Sequence, residues 1–141
     1  MNITDLVRRF YEQIWNRGDK VMIPEILHEG VTFRGSLGQT KRGHDGFAQY
    51  VDFVRDALAE YQCEIQEIVC DGSKVFAKVL FSGVHRKEFL GYPPSFKRVQ
   101  WLGAALFTFD GDKISDLWVL GDLDVLREQL SGKAERTPRS S

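Results

Sequence analysis

The sequence predicts an α+β domain in which helices pack on one face of a curled antiparallel sheet. Through the first sixty residues, apolar side chains recur at three- and four-residue spacing. From residue 61 onward the period changes to two or to continuous apolar runs, and the turn pairs Asp71-Gly72 and Asp110-Gly111 fall between consecutive runs, as hairpins require. With 141 residues, 43% hydrophobic and 12% aromatic, the chain has the size of one domain and can bury a core without staples.

Ile3, Leu6, Val7, Phe10, Tyr11, Ile14 and Trp15 form the stripe of a first helix, which Gly18 stops. Asp19 caps a shorter helix carrying Val21, Met22, Ile23, Ile26 and Leu27, with Pro24 tolerated in its first turns. A short strand, Val31 to Arg34, leads into a glycine-rich loop. Asp45 then caps a third helix whose Phe47, Tyr50, Val51, Val54 and Leu58 share a face. Four antiparallel strands are expected at about 61 to 70, 74 to 85, 97 to 109 and 113 to 121, and a last helix from about 123 to 130. The domain thus spans 1–130, and the tail 131–141, with no apolar residue larger than Ala134, is expected to be disordered.

Strand parity assigns faces. Val75, Ala77, Val79, Phe81 and His85 share the apolar side of their strand; the run from Trp101 to Phe109 is apolar on both sides, marking a central strand. Ile114, Asp116, Trp118, Leu120 and Asp122 fall together unless a bulge intervenes, which sets Asp122 beside the Trp118 indole. His85 and Asp122 are therefore the candidate acid and base.

Nineteen basic against twenty acidic residues give a net charge of -1, which offers no field for nucleic acid or an anionic membrane; the expected partner is a small apolar molecule or a second copy of the chain. The start MNITDLVRRF lacks the apolar segment of a signal peptide and no run approaches a membrane span, so a cytoplasmic location is expected. Cys63 and Cys70 lie about 23 Å apart at strand rise, beyond disulfide reach, and read as reduced thiols. His28, His44 and His85 have no metal-ligand spacing, and no Walker, dinucleotide or Gly-x-Ser-x-Gly motif occurs; neither metal nor cofactor is expected.

The order of elements is similar to the nuclear transport factor 2-like superfold, and three motifs resemble its SnoaL-like polyketide cyclase branch. FYEQIWNRGD looks like that branch's first helix. SGVHRKEFLGYPPSFKRV resembles its strand-loop-strand segment, in which a histidine precedes Leu-Gly and Pro-Pro. FTFDGDKISDLWVLGDLDVLREQL resembles its final hairpin, with a tryptophan four positions before an aspartate. The chain departs from the pattern at Ser95-Phe96, where the family follows Pro-Pro with Thr-Gly. The resemblance implies a cone-shaped sheet with N-terminal helices on its concave face, and cofactor-independent ring closure of a polyketide ester by intramolecular aldol chemistry. It also implies Asp122 as the acid/base and His85 as its assistant.

That chemistry suits the residues. A base that removes a proton next to a carbonyl needs a raised pKa, which desolvation beside Trp118, Leu120 and Trp101 would give Asp122, while His85 could donate to the enolate. Tyr11, Trp15, Phe33, Tyr50, Trp101 and Trp118 are the candidate substrate-binding residues. Asp122→Asn and His85→Ala are each expected to abolish turnover without shifting the melting transition. Plainer roles stand beside these: Asp122 as a helix cap, His85 as a loop histidine, the aromatic residues as core, and the whole as a ligand-binding or dimerisation module without catalysis.

Overall fold

The N-terminal stripe folds as one helix in two registers. In the computed structural model, which describes residues 2–132, helix α1 (Ile3–Arg9) is capped by the Asn2 side chain, which accepts from the Thr4 amide at 2.7 Å. It runs on without a break into a π-helical segment, Phe10–Asn16. The wider π turn keeps Phe10, Tyr11, Ile14 and Trp15 all on the buried side. Gly18 ends the element at φ +71°, where a Cβ would also press on the Arg55 guanidinium.

The second helix is shorter than expected. Asp19 does cap it, accepting from the Val21 amide, but the element is a 3-10 turn (Lys20–Met22) followed by one α turn, α2 (Ile23–Ile26). Leu27 belongs to strand β1 (Leu27–Arg34), which starts four residues before Val31, and the loop beyond it holds a further strand, β2 (Thr40–Arg42). Helix α3 (Gly43–Ala57) begins two residues ahead of Asp45 and has no side-chain cap, so Asp45 lies within its first turn, where a carboxylate still complements the helix dipole.

Strands β3 (Leu58–Asp71), β4 (Lys74–His85), β5 (Arg98–Asp110) and β6 (Lys113–Gly121), then helix α4 (Leu123–Leu130), follow close to the expected bounds. Gly72 and Gly111 sit in their hairpin loops at φ +58° and +63°. The six strands are ordered β2-β1-β6-β5-β4-β3 in a curled, unclosed sheet. It is mixed rather than wholly antiparallel, because β1 runs parallel to β6.

α1, the π segment and α3 cover the concave face, where Val75, Ala77, Val79, Phe81, Trp101, Ala105 and Phe107 form one buried layer. β3 is an edge strand, and Asn16 occupies part of that edge: its side chain accepts from the Cys63 amide at 2.7 Å and donates to the Cys63 carbonyl at 3.1 Å. At the far end β6 stops opposite Gly103, and the Gln129 side chain of α4 takes over its role by bonding both backbone groups of Gln100. Cys63 and Cys70 are both free thiols. Residues 133–141 lie outside the described residues, and with them most of the tail expected to be disordered.

Candidate functional site

Between helices and sheet the chain gathers its rings around one hollow. Phe10, Tyr11 and Trp15 reach it from the π segment, and Phe47 and Tyr50 from α3. Strands supply Phe33, Tyr61, Phe81, Leu117 and Val119; only Gly35 and Ser36 come from a loop, the one between β1 and β2. The rings meet edge to face, Trp15 against Phe47, Tyr50 and Tyr61 at centroid distances of 5.9, 5.7 and 5.4 Å, and Phe33 against Phe47 at 4.8 Å. They leave a cavity of about 30 Å³, room for roughly one water.

No base stands in these walls. Burial pushes the Tyr11, Tyr50 and Tyr61 phenols above their ordinary range, moderated at Tyr50 by hydrogen bonding to the Ser36 side chain and Leu37 backbone. Burial likewise raises the neighbouring Cys63 thiol, which therefore stays protonated. The walls thus offer neutral hydroxyl groups to a ligand, and any proton acceptor must come from the rim.

The rim brings Asp122 close. A Cβ on Gly121 would lie 2.8 Å from the Ser36 carbonyl oxygen, 3.0 Å from Ser36 Cβ and 3.2 Å from Trp101 Nε1, so Gly121 packs directly against the wall and Asp122 is the next residue. Its carboxylate is exposed, not desolvated as the sequence suggested, and caps α4: the Val125 amide donates to Oδ1 at 3.3 Å.

Trp118, expected beside Asp122 in the pocket, is on the opposite, convex face and 42% exposed. The cause is a bulge: Ile114 pairs with Phe109 and Asp116 with Thr108, which leaves Ser115 without a partner and reverses the parity of all that follows. Leu117 and Val119 face inward instead, and the Arg34 guanidinium lies 5.9 Å over the Trp118 ring.

His85 is fully buried on the concave face, as parity required. The Ser95 amide donates to its Nδ1 at 3.2 Å, with Ser95 Oγ at 3.1 Å, so the neutral ring carries its proton on Nε2, which has no partner. Burial lowers its pKa below the ordinary imidazole range; the backbone of Lys87 and Tyr92 and the Glu88 charge oppose this, though no acceptor reaches Nε2 in hydrogen-bond geometry.

The structure does not bring His85 and Asp122 together. The His85 amide bonds the carbonyl of Lys97, the residue before β5, and the Asp122 amide bonds the Leu102 carbonyl within β5. Five residues separate those carbonyls, about 17 Å at strand rise. Of the other expected residues, Tyr11, Trp15, Phe33 and Tyr50 line the hollow and Trp101 stands behind Phe81, ring centroids 5.3 Å apart. Phe81 was legible on the inner parity of its strand, whereas Ser36 carries no sequence signal. Among the described residues, no three His, Cys, Asp or Glu side chains gather as a metal would require, and no helix is long and apolar enough to cross a membrane.

A model of the SnoaL-like polyketide cyclase family matches residues 5–130. Solved structures share the fold. A candidate polyketide cyclase from Acidithiobacillus ferrooxidans is 21% identical, with 94% of this chain and 96% of that one covered and a TM-score of 0.83. TsrD from Streptomyces laurentii is 23% identical over 91% and 93% of the two chains, with a TM-score of 0.81. AclR from Streptomyces galilaeus, a candidate hydroxylase, is 19% identical over 94% and 97%, with a TM-score of 0.79. No curated protein sequence matches the chain significantly.

Proposed function

The chain belongs to the SnoaL-like polyketide cyclase family, and on that premise we propose that it performs cofactor-independent acid/base chemistry on a polyketide-like ester. The reaction is an intramolecular aldol-type closure or a related tailoring step. The observation that carries this reading is the place of Asp122: a carboxylate one residue from Gly121, which packs against the wall of an aromatic hollow that holds no base of its own.

Asp122 is the base. Its Oδ1 is engaged by the Val125 amide, which leaves Oδ2 for a carbon-bound proton between two carbonyls. A substrate seated over the rim would exclude water from the carboxylate and bring it against the carbon-bound proton. Tyr11, Trp15, Phe33 and Tyr50 hold the apolar body and fold it so that the reacting carbons meet. A cavity of about 30 Å³ admits no such body, so the loop from Gly35 to Gln39 opens first; its Gly35 and Ser36 are the only wall residues outside helices and strands. His85 is a positioning residue. Neutral and tied to Ser95, it anchors the segment from 86 to 97, whose Phe89 packs on Phe53 of α3.

The exposed carboxylate also favours a second reading, in which the same fold binds an apolar ligand without turnover. The two are separated by incubating a linear poly-β-keto ester with the protein and following a cyclic isomer of equal mass by chromatography and mass spectrometry. Conversion by the wild type that falls at least a hundredfold in Asp122→Asn supports the base, within the range general-base catalysis contributes. Conversion unchanged in that variant removes it, and ester binding without conversion by the wild type leaves the second reading.

A further inference from the structure

Among the described residues, two buried nitrogen donors have no acceptor, His85 Nε2 and Trp101 Nε1. His85 is bound to the segment after β4, well away from the rim. Trp101 is different: its side chain is fully buried against Phe81, which lines the hollow, and its Nε1 reaches the point where Gly121 meets Ser36. We propose that the Trp101 indole N–H is the hydrogen-bond donor for a substrate carbonyl oxygen that becomes an enolate oxygen, at a subsite between Gly121 and Ser36.

An indole nitrogen only donates, and a ring packed between Tyr61 and Phe81 cannot turn to find an acceptor elsewhere. Buried donors without partners are uncommon, and each calls for an explanation. Gly121 sets no side chain against Nε1, where a Cβ would stand 3.2 Å from it; the Ser36 carbonyl oxygen and Cβ, 2.8 and 3.0 Å from that same point, close the approach in this structure. Ser36 belongs to the loop from Gly35 to Gln39, whose opening the reading above requires, so the subsite forms as that loop withdraws. The substrate class rests on the acid/base reading above. In that reading the Asp122 carboxylate takes the carbon-bound proton and the C–H electron pair passes to the carbonyl oxygen. The indole N–H remains intact and donates to the oxygen as its charge grows. The enolate carbon then attacks the second carbonyl, whose oxygen recovers the proton from Asp122.

The test uses 1,3-cyclohexanedione, ionised as its enolate at neutral pH, with cyclohexene as a ring without oxygen. The three indole signals of Trp15, Trp101 and Trp118 are separated by nitrogen-15 NMR with the aid of Trp118→Phe and Trp15→Phe. The dione should move the Trp101 indole proton downfield and cyclohexene should not. In Trp101→Phe, dione affinity should fall at least tenfold while cyclohexene binding stays within twofold. A Trp101 signal that stays still while other residues of the hollow report bound dione overturns the proposal, as does unchanged affinity in the variant or no binding at millimolar dione. Should Trp101→Phe not fold, the wild-type signal decides alone. The shift should persist in Asp122→Asn, so a protein that binds the dione through Trp101 yet converts no ester would count against the catalytic reading only.

Discussion

At the scale of residues, two substitutions at Asp122 separate its two duties. Asparagine caps a helix about as well as aspartate, whereas alanine loses the bond to the Val125 amide, so Asp122→Ala should cost about 0.5–2 kcal/mol of stability and Asp122→Asn almost none. Both should abolish turnover, and thermal melts beside activity assays check the pair. His85 is a different case. Because it is fully buried, His85→Ala opens a gap in the core and should lower the melting temperature as well as activity, contrary to what the sequence alone suggested. Its lowered pKa also sets a pH dependence. The native state keeps the ring neutral while the unfolded chain protonates it near the ordinary value of about 6.5, so the unfolded state binds more protons in the interval between the two. Stability is therefore complete above about pH 6.5 and declines as pH falls through the folded-state pKa. Melts of His85→Gln should show a smaller loss between pH 7.5 and 5.5 than the wild type; an equal loss would assign the dependence to other groups. The departure at Ser95-Phe96 acquires a meaning at this scale too. Ser95 holds the imidazole, and Phe96 adopts φ +59°, the left-handed region suited to the glycine that the family pattern carries there.

At the scale of elements, what the sequence disclosed and what it hid differ by mechanism. The strands from β4 onward and α4 were legible because alternation and Asp-Gly turns are local signals. The π segment was not, since its buried residues also satisfy helical spacing and nothing in the pattern separates the two registers. The bulge at Ser115, which parity could allow for but not locate, cost the most: one extra residue reversed Trp118 and left Asp122 uncovered, and no local signal marks it. Nor could parity reveal that His85 and Asp122 lie at different levels of β5, because register along a sheet depends on pairings distant in sequence. Four of the six expected rings, Tyr11, Trp15, Phe33 and Tyr50, do line the hollow, three of them because helix stripes determine which rings face the sheet. The contact between the π segment and β3 yields a prediction of its own. Asn16 satisfies both backbone groups of Cys63 on an open sheet edge, so Asn16→Ala should destabilise the protein by about 1–3 kcal/mol. Hydrogen exchange should report it locally, with the Cys63 amide losing protection before the amides of β4.

At the scale of the molecule, the same bulge that emptied the pocket of Trp118 enriched the convex face. Val69 pairs with Phe76, Phe76 with Leu106, Leu106 with Trp118 and Trp118 with Arg34, so one row of side chains crosses five strands. Val69, Phe76, Leu106, Trp118 and Leu120 are all exposed. One layer of helices covers only the concave side of the sheet, and a continuous apolar row of this extent on the other side is unusual for a face that stays in water. A second copy of the chain is the partner we propose for it, packed sheet to sheet about a two-fold axis, because an isologous contact lets each row cover the other without any further element. The Lys78 ammonium, 3.9 Å from Glu67 and largely covered, lies on this face and would keep its carboxylate partner within the interface. Sedimentation velocity at tens of micromolar should give a dimer for the wild type and a monomer for Leu106→Glu, whose added charge would be buried without a partner. Circular dichroism of that variant should stay unchanged, since Leu106 points away from the core. A wild-type protein that remains monomeric at high micromolar concentration would instead mean that the row of Val69, Phe76, Leu106 and Trp118 meets some other surface.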